Sequence, residues 1–115
     1  MNNASFNYVR TFRQRHALTE GELAFLISQR SHTAVSRIEV GRRVPNLEGA
    51  LALQVLFRQQ PRQMFPGLYE AVEEGVMRRG QALIDELADK VDPRSVAKRE
   101  FLEDLAREAG SDDEI

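Results

Sequence analysis

Cysteine and tryptophan are both missing from this chain of 115 residues. Without cysteine there can be no disulfide and no thiolate zinc site. The two histidines, His16 and His32, are too few for a typical metal cluster. No apolar run approaches the roughly 18 residues of a membrane span. The opening MNNASFNYVR lacks the apolar core of a signal peptide. A soluble, cytoplasmic chain with no membrane attachment is therefore expected. A glycine-rich phosphate cradle is also lacking. Ser31 and His32 are adjacent, and neighbouring side chains on a helix do not face each other, so they make no nucleophile–base pair. Glu70, Glu73 and Glu74, and likewise Asp85, Glu86 and Asp89, read as solvated faces. No enzyme, no cofactor and no metal is expected.

Lysine is missing from the first 65 residues, although arginine is not. That part carries nine Arg against four Glu, a net of +5. Residues 66–115 carry seven basic and fourteen acidic side chains, a net of −7, and the two together give the overall −2. A basic half suits a polyanion, whereas an acidic half is repelled by one and should lie away from it.

The stretch from Thr19 to Pro45, TEGELAFLISQRSHTAVSRIEVGRRVP, organises the basic half. Thr19 with Glu22 spells a capping box, and Leu18 and Leu23 are placed as a hydrophobic staple. Leu23, Ala24 and Ile27 fall on one helical face. After Ser28, Gln29 and Arg30 break the pattern, Ser31 can cap a second helix, about His32 to Val40, that Gly41 can end. Ala34, Val35 and Ile38 share its inner side. His32, Thr33, Ser36 and Arg37 share the other side, which is polar, holds a guanidinium and has no carboxylate. Such a face is what a helix reading base edges needs, with an Arg able to bond guanine twice. An ordinary solvated face is the competing reading.

Arg13 and LTEGELA (18–24), AVSRIEVGRRVPNLEGALAL (34–53) and MF (64–65) together resemble the Cro/CI-type (XRE, lambda-repressor-like) helix-turn-helix family, over a little more than half the chain. SRIE followed by Gly41, basic residues, Pro45, Asn46 and Leu47 is the most specific part. The chain departs from the family pattern at Ser28 and at His16-Ala17, where glycine is usual, and its helix-turn-helix turn is one residue longer than the commonest form. The resemblance implies an all-α fold with a five-helix lambda-repressor-like DNA-binding domain over 1–66; the charge asymmetry and helical patterning add an acidic two-helix C-terminal extension over 67–115, a candidate dimerisation or partner-binding region. The resemblance also implies sequence-specific binding of double-stranded DNA, as a transcriptional regulator, with helix 32–40 in the major groove. His32, Thr33, Ser36 and Arg37 are then the base-reading residues. Thr19, Arg30, Ser31, Arg42 and Arg43 are the phosphate-binding residues. Arg13 and Glu39 are a structural ion pair. A homodimer is expected, because family members usually place two such helices about 34 Å apart on a two-fold site. Two rival readings use the same residues. One is an antitoxin whose acidic C-terminal helices bind a toxin; the other is a protein-interaction module without DNA binding.

The rest of the chain also reads as helix. A first helix runs from about Phe6 to Arg15, with Val9 and Phe12 inward, after a loose Asn2–Ser5. His16 reads as a surface turn residue. Asn46 can cap a helix over Leu47–Phe57 with Leu47, Leu51 and Leu56 as core candidates, and Gln60-Pro61 opens a short one, with Met64 and Phe65 closing the core. Pro66-Gly67 punctuates the end of the domain. A long helix over Leu68–Val91 carries the stripe Tyr69, Val72, Val76, Leu83, Leu87 and Val91. Asp92-Pro93 restarts the chain into a last helix, Arg94–Ala109. Gly110 should end that helix, leaving SDDEI as a frayed acidic tail.

Overall fold

The computed structural model describes residues 6–113, and every regular element among them is a helix. These are α1 (Val9–Arg15), α2 (Glu20–Leu26), α3 (His32–Glu39), α4 (Leu47–Phe57), α5 (Pro61–Met64), α6 (Pro66–Glu86) and α7 (Pro93–Asp113). No described helix is long and apolar enough to cross a membrane. The expectations for Asn2–Ser5 and for Glu114-Ile115 lie outside the described residues. The chain divides into two compact units, Met1–Ala71 and Val72–Ile115. The expected punctuation at Pro66-Gly67 is the first turn of α6, which spans the division.

In the first unit the caps set the helix starts. Thr19 Oγ1 accepts from the Glu22 amide at 3.0 Å while Glu22 Oε1 accepts from the Thr19 amide at 2.9 Å. Asn46 Oδ1 accepts from the Gly49 amide at 2.8 Å at the start of α4. Pro61 opens α5 at a position where a missing N–H costs nothing. Ser31 does precede α3, but its side chain makes no capping hydrogen bond. The helices close on one core of Val9, Leu23, Ala24, Ile27, Val35, Ile38, Leu53, Phe57, Met64 and Phe65. Burial of each large side chain in it contributes about 1.5–3 kcal/mol. Phe12, Leu18, Leu56 and Leu68 pack against its edge. His16 is exposed, as expected of a turn residue, and also stacks on the Phe57 ring at 5.8 Å.

Helix α4 corrects the expected core. Leu47 and Leu51 are exposed, and Gly49, Leu53 and Phe57 point inward instead. The sequence LEGALALQVLF is apolar on nearly every side, so periodicity alone could not choose the buried face. Leu47, Leu51 and Val55, four apart, are left as an outward apolar row.

In the second unit α6 ends at Glu86, earlier than the expected Val91, and Val91 is exposed. The Arg99 guanidinium explains the stop. It donates to the Leu87 carbonyl and, at 2.6 Å, to the Lys90 carbonyl, satisfying acceptors that a continuing helix would have used. Asp92 caps α7 as expected, its Oδ2 accepting from the Ser95 amide at 3.1 Å. Helix α7 runs through Gly110 to Asp113 rather than ending there. A single helical glycine costs only about 1 kcal/mol relative to alanine, which does not stop a helix by itself.

Candidate nucleic-acid interface

Helices α2 and α3 pack on each other, and α1 lies against α3. The inner face of α3 is Ala34, Val35 and Ile38, all buried. That burial fixes the opposite face: His32, Thr33 and Arg37 are exposed and Ser36 is half-buried. His32 with Ser36, and Thr33 with Arg37, are four residues apart and so stand as neighbouring pairs on the outer surface.

The far end of α3 is held in three ways. First, Gly41 adopts φ 81°, and the backbone closes a Schellman motif: Arg42 N donates to Arg37 O at 2.9 Å and Gly41 N to Ile38 O at 3.0 Å. Second, Asn7, itself buried, donates from Nδ2 to Ile38 O at 2.8 Å and accepts from the Val9 amide at 3.1 Å. Third, the Glu39 side chain has no exposed surface and is met by two arginines. Arg13 Nε reaches Oε2 at 2.6 Å and Nη2 reaches Oε1 at 3.2 Å, while Nη1 donates to Leu18 O at 2.9 Å. Arg10 Nε adds a bond to Oε1 at 3.2 Å. The hydrogen bond from Arg13 to Glu39 holds the guanidinium charged more firmly than usual, against the opposing effect of burial.

The electrostatic result is one-sided. Glu39 is the sole carboxylate between Arg30 and Pro45, and it is withdrawn and neutralised. Arg30, Arg37, Arg42 and Arg43 are exposed and make no ion pair among the described residues. Ser31 is exposed between Arg30 and His32. Thr19 is exposed as well, at the start of α2, but its hydroxyl is already engaged by Glu22. The Glu22 carboxyl is held below its ordinary range by the hydrogen bonds of Thr19, the backbone amide first.

Two contributors were not singled out from sequence. Asn7 stands two residues before α1, where its side chain caps the chain locally, and that is a legible signal; its bond to Ile38 crosses 31 positions and is not. Arg10 stands one helical turn before Arg13, on the same face, so the spacing could have offered it as a second partner for Glu39. The backbone is left-handed at Ala17 (φ 57°) and Ser28 (φ 56°), in the turns that precede α2 and α3. No family model, no curated protein and no solved structure matches this chain.

Proposed function

We propose that this chain binds double-stranded DNA sequence-specifically, as a transcriptional regulator of the Cro/CI type, with α1 to α5 as the DNA-binding domain. The observation that carries the reading is the outer surface of 30–43. It offers four arginines that make no ion pair among the described residues and a short polar helix face, while its one carboxylate is buried against Arg13 and Arg10. A surface of that composition meets phosphates without repulsion and places donors and acceptors for base edges. In this reading α3 enters the major groove. His32, Thr33, Ser36 and Arg37 face the bases, and Arg30, Ser31, Arg42 and Arg43 face the backbone. Thr19 adds the free amides at the start of α2 rather than its hydroxyl. The buried pair and the Asn7 bond hold the far end of α3, beside Arg37, in place. Rigidity matters because a base contact is lost over small displacements.

The test is selection of duplexes from a random pool, followed by titration of the selected site at several salt concentrations. Enrichment of one motif is expected, with log affinity falling against log salt by about 0.9 per phosphate contact. No enrichment, together with no duplex binding at low salt, would overturn the proposal.

A further inference from the structure

Glu39 is a single carboxylate met by two guanidinium groups, so the cluster keeps an uncancelled positive charge. The two arginines are engaged unequally. Arg13 is used up inside the fold: Nε and Nη2 bond Glu39, Nη1 bonds the Leu18 carbonyl, and only 12% of its side chain is exposed. Arg10 gives Glu39 its Nε alone, at 3.2 Å, and 52% of its side chain is open to solvent. Its two terminal nitrogens make no hydrogen bond among the described residues. Helix α1 has no carboxylate of its own to take up that charge. One counter-charge is what a buried carboxylate requires, and Arg13 supplies it. Arg10 is in excess of that need and is nevertheless held.

The position of Glu39 on α3 says where that charge stands. Glu39 follows Ser36 by three residues and His32 by seven, so it lies along their edge of the polar face. Arg37 lies about 160° away around the helix axis, at the opposite edge. Arg10 reaches the His32–Ser36 edge from α1, which packs against α3. A helix in the major groove, about 12 Å wide, has a phosphate backbone along each side. A cation at the edge of the reading face therefore meets a groove wall rather than a base. Resting on the DNA-binding reading above, we propose that Arg10 is a phosphate contact supplied by α1. Glu39 fixes the plane of its guanidinium through Nε, and the free pair of terminal nitrogens forks onto the oxygens of one phosphodiester. A side chain already fixed loses less freedom when the phosphate arrives. The Glu39 charge is matched by Arg13, so the Arg10 charge is what the phosphate meets.

The test is a salt titration of the full chain and three variants on the selected duplex and on a scrambled one. Arg10→Gln should lower the slope of log affinity against log salt by about 0.9 and weaken both duplexes by about tenfold at 0.1 M salt. Arg10→Lys keeps the charge and should keep the native slope. Arg15→Gln removes an equal charge from the same helix, but Arg15 lies over the Phe12 ring at 4.8 Å, about 140° around α1 from Arg10. Its slope should stay native. A native slope in Arg10→Gln would overturn the proposal and leave Arg10 as a partner of Glu39 alone. A loss confined to the selected duplex would do the same, because it would mean a displaced α3. An equal fall in slope for Arg15→Gln would also overturn it, in favour of net charge without a contact. A native chain that binds neither duplex at low salt would instead bring down the DNA-binding reading itself.

Discussion

Arg13 and Glu39, separated by 26 positions, share a two-pronged ion pair in which the carboxylate has no solvent contact. The two sides of that pair are unequal. Removing Arg13 leaves a buried anion with only the half-exposed Arg10 beside it; removing Glu39 leaves Arg13 able to keep the Leu18 carbonyl. Arg13→Ala should therefore cost about 3 kcal/mol of stability in urea titrations, and Glu39→Ala somewhat less. A double-mutant cycle should show the two changes strongly coupled; additive effects would remove the pair as the anchor of α3.

Arg37 and Arg43 should fail in different ways. Arg37→Ala should cost about 1–3 kcal/mol on the selected site and relax preference there, whereas Arg43→Ala should weaken all duplexes alike. Competition titrations on selected and scrambled duplexes distinguish the two. Equal losses on both duplexes from Arg37→Ala would make that residue a phosphate contact.

The left-handed turns offer stabilising changes. Ala17→Gly and Ser28→Gly each remove a side chain from a backbone region that disfavours it, and should gain about 0.5–1 kcal/mol after the added freedom of the unfolded chain is counted. Gly41→Ala should lose about 1–2 kcal/mol for the same reason in reverse. Gly110→Ala, in a helix with open space around it, should gain about 1 kcal/mol. Thermal unfolding of the four variants gives the signs directly.

Acid should act on both units through their caps. Glu22 is held below its ordinary 4.5 by Thr19, and Asp92 below its ordinary 3.8 by Ser95, the Ser95 side chain first and its backbone amide second. A carboxyl depressed in the folded state contributes stability above its unfolded value and loses it as pH falls through the folded one. The contribution of both caps should thus be flat from neutral pH down to those ordinary values and decline below them. Chemical-shift titration of the two carboxyls should place both midpoints on the acid side of 4.5 and 3.8 respectively.

Much of this was legible because it is local. The Thr19–Glu22, Asn46 and Asp92 caps involve residues three apart, and the buried side of α3 follows from its spacing. What the sequence hid depends on partners far along the chain or on a pattern with no contrast. Arg99 stops α6 from beyond the turn, and Asn7 meets Ile38 only after folding. Leu47 and Leu51 looked like core because α4 offers no polar side against which to read an inner one. In the candidate interface the exposed residues of α3 followed from its buried ones, whereas Arg10 was overlooked beside Arg13.

The unequal fastening of α3 sets a gradient of motion along it. Its last turn is fixed through Ile38, Glu39 and the Gly41 turn; its first turn follows a serine that makes no capping bond. Amide protons near His32 and Thr33 should exchange with solvent through frequent local fraying, and those near Ile38 only when the whole first unit opens. The helix is thus hinged at one end, and the loose end carries His32 and Thr33. The backbone can thus adjust at His32 and Thr33, while at Arg37, whose carbonyl accepts from the Arg42 amide, it is held.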